Sequence, residues 1–159
     1  MKEPEINIKL KRNIANDLDK SWLKSIVREI LEAERTASTV EIGLLITDNK
    51  TIQKLNRKYR GENEPTDVLS FQTTVSEGEK PEERFINAPD GANHLGEVII
   101  SYPQAEKQAR ERGHSISQEM ALLVIHGILH LLGYDHKLPE DARVMREKES
   151  RILSLLKQD

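Results

Sequence analysis

Residues 5–10, EINIKL, alternate apolar with polar side chains, the period of a strand buried on one face. Trp22, Leu23, Ile26, Val27, Ile30 and Leu31 then recur at three- and four-residue steps. This predicts an amphipathic helix capped by Asp19 or Ser21 and running to about Glu34. Residues 39–47 are dense in Val, Ile and Leu and predict a buried strand. Asp48 caps a short helix that turns Ile52 and Leu55 inward, and Gly61 and Pro65 break the chain. Two further strands are predicted over 66–73 and 95–101. Pro103 suits the first turn of a helix ending near Gly113. Ser115 or Ser117 caps a strongly apolar helix to Leu132, stopped by Gly133. Pro139 opens a last amphipathic helix carrying Val144, Ile152, Leu153 and Leu156. Strands alternate with helices early and helices dominate late. The expected fold is therefore α+β (mixed α/β), a single mixed β-sheet packed with helices, its strand order left open. No repeat and no linker divides the 159 residues, which suffice for one domain with one core.

Composition narrows the chemistry. There is no cysteine, which excludes disulfide frameworks, thiolate nucleophiles and Cys-based metal sites and fits a reducing compartment. No apolar run approaches the roughly 20 residues of a membrane span, and the start MKEPEINIKL lacks the apolar core of a signal peptide. A soluble, cytoplasmic protein with no membrane partner is expected. The net charge of −3 is carried by an acidic loop at 76–93, with Glu77, Glu79, Glu82, Glu83 and Asp90 against Lys80 and Arg84. The chain is no bulk polycation, and any basic patch must be local.

The informative segment is 124–136, VIHGILHLLGYDH. His126 and His130 are four apart on a predicted helix and share one face. Gly133 ends the helix, so His136 can swing back toward the pair. A lone histidine on an apolar helix is usually a core or boundary residue. Three at this spacing, with a glycine at the turn, point to a metal held by His126, His130 and His136. The spacing is that of the metzincin zinc motif, and three imidazoles leave a fourth tetrahedral position for water. Zinc, one ion per chain, suits the set, although another transition metal would also bind it. In metzincins a glutamate general base follows the first histidine, and here Gly127 stands in its place. Peptide hydrolysis thereby loses most of its support. A carboxylate restored at 127 is expected beside the metal, where it would repel a scissile phosphate.

HGILHLLGYDH, together with Tyr59-Arg60 and Pro65-Thr66-Asp67-Val68-Leu69-Ser70-Phe71, resembles the signature of the YbeY family, metal-dependent endoribonucleases of bacterial ribosomal RNA maturation. Leu95-Gly96-Glu97-Val98-Ile99-Ile100 is similar to that family's LGDI strand, with Glu for the usual Asp, and Met145, Glu149 and Leu153 fit its C-terminal helix. Gln72 stands where the family often has Pro, and the acidic loop is longer and more charged than the family pattern. The resemblance covers nearly the whole chain. It implies that 1–159 is a single metal-dependent endoribonuclease domain, with zinc held by the three histidines. The implied activity is cleavage of single-stranded RNA in ribosomal RNA processing, at the small subunit's 3′ end, and in ribosome quality control. The ribosome or its proteins are the implied partners.

The resemblance places Arg60 in the family's active-site arginine position, with Arg60 and His126 catalytic. An arginine near a metal can hold a phosphate bidentately and stabilise transition-state charge. The blander role is a solvated arginine complementing a helix C-terminus. Lys50, Lys54, Arg57 and Lys58 recur at helical steps. They predict a basic stripe that binds substrate at Lys54, Arg57 and Lys58, or else an ordinary charged helix surface. Asp67, Glu97 and Asp135 are candidate carboxylates behind the metal ligands. His94 and His114 lie outside the motif and read as surface residues. Two alternatives stand beside the nuclease: a metal hydrolase of another bond, peptide or amide, and a ribosome-assembly binding factor with a structural metal.

Overall fold

A computed structural model describes residues 4–12, 14, 18–36, 40–72, 93–134 and 138–157. Asp135, His136 and the loop at 73–92 lie outside the described residues. Among the described residues four strands and five helices follow one another: β1 (Glu5–Leu10), α1 (Lys20–Ala33), β2 (Val40–Thr47), α2 (Asn49–Arg60), β3 (Val68–Gln72), β4 (Asn93–Ser101), α3 (Tyr102–Arg112), α4 (Ile116–Leu131) and α5 (Pro139–Lys157). The strands make one sheet in the order β1-β2-β4-β3. The β1–β2 and β2–β4 pairs are parallel, and β3 runs antiparallel to β4 at the sheet's edge. The sheet is therefore mixed and helices pack on it, the expected α+β arrangement.

The period-two pattern decides which face holds the main core. Val40, Ile42, Leu44 and Ile46 of β2, Val98 and Ile100 of β4 and Ile6 of β1 all point to one side. There they meet Leu23, Ile26, Val27 and Ile30 of α1, the apolar face of α4, and Met145 and Ile152 of α5. On the other side α2 lays Ile52 and Leu55 over Leu45, Leu69, Ile99 and Phe71. The caps match the sequence. Asp19 accepts from the Ser21 amide, and Ser115 and Gln118 form a reciprocal capping box. Asp48 caps α2 by accepting from the Thr51 amide. The Lys11 ammonium beside it, with Thr51, holds the Asp48 carboxyl well below the usual carboxylate range.

Helix α4 is apolar almost all round because it is buried almost all round. It packs on α1, α3, α5, β3 and β4. Its first turn buries Glu119 completely, and that carboxylate is satisfied by Arg112 Nη1 at 2.9 Å and by His114 Nε2. His114 is thus no solvated surface histidine. It joins Arg112 in satisfying a buried carboxylate at the α3–α4 corner, which no local pattern advertises. At the other end the Tyr134 amide donates to the Leu129 carbonyl and the Gly133 amide to that of His130. Gly133 takes the left-handed φ of 105° that this reversal requires.

Gly127 corrects an expectation. One residue beyond His126 the helix has turned by about 100°, and this position faces the sheet rather than the histidines. The Ser70 hydroxyl donates to the Gly127 carbonyl at 2.9 Å. A Cβ at 127 would lie 2.5 Å from Val98 Cγ1 and 3.3 Å from Ser70 Oγ. A glutamate there would enter the helix–sheet interface, not the metal's surroundings. Gly127→Ala should cost about 1–3 kcal/mol by overpacking, read as a lower denaturant midpoint at unchanged slope. Val98→Ala introduced into that background should recover part of the loss. Strictly additive losses would show that the two residues do not limit each other's approach.

Candidate functional site

Along the buried part of α4, from Glu119 to Leu131, the half-exposed positions are Leu122, His126 and His130. They share one stripe, each four residues after the last. The two imidazoles meet edge to face with centroids 4.6 Å apart. Their Nε2 atoms are 3.1 Å apart. Two nitrogens bound to one tetrahedral zinc at about 2.0–2.1 Å would be separated by about 3.3 Å, so the pair fits a shared metal ion without moving the backbone. Among the described residues no group of three metal-ligating side chains is complete. His136, the third expected ligand, lies outside them, as does Asp135.

Behind His126 stands a carboxylate that spacing alone did not single out. Glu149 Oε1 of α5 lies 2.7 Å from His126 Nδ1. With a carboxylate accepting there, Nδ1 carries the hydrogen and Nε2 presents its lone pair toward His130, as a metal ligand must. The sequence places Glu149 on an amphipathic, charged helix, where one glutamate looks like the next. A second connection holds the chain leaving α4. Tyr134 donates to Glu34 Oε1 at 2.6 Å, and Lys148 Nζ reaches Glu34 Oε2 at 3.1 Å and lies 5.0 Å from the Tyr134 ring centroid. The Tyr134 hydroxyl first, and then the Glu34 carboxylate, raise the Lys148 pKa above its ordinary 10.5.

Beside the histidines a cleft of about 620 Å³ wraps round the β3 side of the sheet. Arg60, Tyr59 and Leu55 of α2 form one wall and His130 and Leu131 of α4 the other, with Ser70, Phe71, Gln72, Glu97 and Ile99 from the strands. Arg60 and His130, seventy positions apart in sequence, thus share one cavity. Helix α2 delivers Arg60 because both its ends are held. Asp48 and Lys11 fix the start. The buried Asn56 amide donates to the Glu64 carbonyl at 2.9 Å and folds residues 61–67 back along the helix. The Tyr59 ring, 57% exposed, packs 5.0 Å from that of Phe71 and forms an aromatic lip to the cleft.

The other candidates fall as follows. Lys50, Lys54, Arg57 and Lys58 are exposed on α2 and do not line the cleft, and Lys58 Nζ sits 5.2 Å from the Tyr59 ring centroid. Glu97 lines the cleft. Asp67 does not stand behind a ligand. Its carboxylate accepts from the Val68 amide and the Gln108 side chain, fastening the start of β3 to α3. His94 pairs with Glu41 in the β2–β4 register, and its side chain lies outside what the structure describes.

The family model described as endoribonuclease YbeY matches residues 5–157. The chain belongs to the YbeY family. A curated endoribonuclease YbeY from Dehalococcoides mccartyi (strain CBDB1) is 47% identical over 148 residues, covering 91% of this chain and 89% of the relative. Another, from Roseiflexus sp. (strain RS-1), is 41% identical over 155 residues, covering 97% and 94%. Among solved structures, the solution structure of TM1509 from Thermotoga maritima superposes with a TM-score of 0.60 at 25% identity, covering 95% of this chain and 88% of that one. The YbeY-family sheet and helices are thus the frame in which this cleft sits.

Two outcomes are expected. Glu149→Ala should lower affinity for added zinc by about 10- to 100-fold while leaving the unfolding transition cooperative, and Glu149→Asp should recover little because its carboxylate is one methylene shorter. Metal titration with a competing chelator reads this. For Lys148 the sign follows from its raised folded-state pKa. Its stabilisation is fully present below the ordinary lysine value of 10.5 and is lost as pH rises through the higher folded value. The stability gap between wild type and Lys148→Gln should therefore stay constant near neutrality and close above that value in denaturant titrations.

Proposed function

We propose that the chain is a single-strand-specific, metal-dependent endoribonuclease, one domain over residues 1–159, that acts in cytoplasmic ribosomal RNA processing at the small subunit's 3′ end and in ribosome quality control. The metal is one zinc ion held by His126, His130 and His136. The observation that carries this reading is the shared cleft of Arg60 and His130 in a chain of the YbeY family. RNA as substrate and hydrolysis of its backbone are what the family name describes.

When bound, zinc supplies Lewis-acid polarisation of a phosphoryl oxygen and lowers the pKa of a coordinated water. The rest is work for the chain's own side chains. Glu149 keeps His126 in the ligating tautomer. Arg60, always charged, offers a planar fork to two oxygens of the scissile phosphate and stabilises charge that develops there. Tyr59 and Phe71 offer ring faces on which unpaired bases stack, which favours single strands because a duplex hides its base faces. Lys54, Arg57 and Lys58, on the same helix as Arg60, would hold flanking phosphates. Proteolysis finds no support at position 127, which is closed by the sheet.

The test is cleavage of a labelled single-stranded RNA by zinc-loaded protein. Arg60→Ala should keep its metal and lose cleavage by roughly tenfold to a thousandfold, with partial recovery in Arg60→Lys. His126→Ala should lose both metal and cleavage. Wild-type cleavage by Arg60→Ala would remove Arg60 from the site. Robust digestion of casein by the wild type, absent in His126→Ala, would replace the nuclease reading with the peptidase one.

A further inference from the structure

A second concavity opens on the same side of the sheet as α2. It encloses about 880 Å³ over β1 and β2, and it shares Phe71, Gln72 and Glu97 with the cleft that holds Arg60 and His130. The two adjoin at these three residues. Helix α2 packs on Leu69 of β3, Ile99 of β4 and Leu45 of β2, and the concavity lies over the part of this face nearer β1. The register shows what floors it. Asn7, Gly43, Glu97 and Phe71 are successive partners across the four strands. The row crosses three inter-strand gaps, about 14 Å at roughly 4.8 Å each, and ends at the aromatic lip. Gly43 keeps the floor low. With no side chain of its own, it lets Glu97 lie over it, and a Cβ there would come within 3.2 Å of Glu97 Cγ.

The far wall is basic. Lys9 projects from β1, and Lys20 and Lys24 come from the first turns of α1. Among the described residues none of the three makes a hydrogen bond or an ion pair, in contrast to Lys11 and Lys148. Lys20 stands in the first turn, where the α1 dipole is already positive, an arrangement that works against helix stability and concentrates cationic potential on the groove. Glu41 and Glu97 line it as well, from the inner strands, so the charge is divided: cations along the outer wall, carboxylates on the floor beside it. A polyanionic backbone has its place along the wall.

We propose that this groove is the approach path of the single-stranded RNA substrate, with Lys9, Lys20 and Lys24 holding backbone phosphates while the strand crosses the Asn7–Gly43–Glu97–Phe71 row toward Arg60 and His130. The proposal rests on the nuclease reading above and extends it from the cleavage point to the strand that enters it.

Binding decides it, independently of cleavage. Zinc-loaded wild type and the triple variant Lys9→Gln, Lys20→Gln, Lys24→Gln are titrated into fluorescent single-stranded RNAs of increasing length, at several salt concentrations. The wild type should gain affinity with length, and the variant should lose roughly tenfold or more of that gain. Its dependence of log affinity on log salt should be shallower by about 2, three phosphate contacts at about 0.7 each. Replacing the three lysines by arginine should restore both. An unchanged length dependence and salt slope would overturn the path and leave the groove to a protein partner. A loss equal for the shortest and longest RNAs would overturn it too, since the lysines would then act at the cleft itself. Because the readout is association, a protein that binds along this path but fails to cut would refute the nuclease reading alone.

Discussion

Helix α4 lies on the sheet at a distance set by an absent side chain. Gly127 presents only hydrogen to Val98, and the Ser70 hydroxyl closes on its carbonyl. That approach lets a helix with almost no polar face be buried by strands on one side and by α1, α3 and α5 on the others. It also determines where the histidines go. With the rest of the surface committed to packing, the remaining stripe emerges beside β3, where the cleft begins. Arg60, arriving on a helix from the opposite face of the sheet, reaches the same cleft because β3 is an edge strand among the described residues. A thicker residue at 127 would push this geometry apart without touching a single ligand.

Much of the fold could be read from periodicity and caps. The alternation in EINIKL, the three-four spacing from Trp22 to Leu31, and the capping residues Asp19, Asp48 and Ser115 are local signals, and local interactions produced those elements. Strand order could not be read, because it depends on which strand buries which face against distant helices. The placement of β4 between β2 and β3 joins residues far apart in the chain. Gly127 was legible as a departure from a motif but not as a contact. Its meaning needs Val98, which enters from another element.

The site divides along the same line. His126, His130 and Arg60 stood out because their signals are a spacing and a short motif. Glu149 stood out only as a residue fitting the family's C-terminal helix and had no role there, since a carboxylate on a charged helix acquires one only when tertiary packing puts it 2.7 Å from an imidazole. Glu119 and His114 make the same point in a structural setting. Read singly, they are a helix-start acid and a surface histidine. Together with Arg112 they form one cluster around a fully buried carboxylate.

The partnership between His126 and Glu149 also orders events in time. Translation runs from the N-terminus, and the carboxylate that orients His126 is made 23 residues after the histidine it serves. A nascent chain that has exposed HGILH therefore carries His126 without its orienting partner until α5 has emerged and docked. An RNA-cutting protein is born against RNA, inside the particle that makes it. Tying the His126 tautomer to a late helix leaves that imidazole unoriented until the fold is complete.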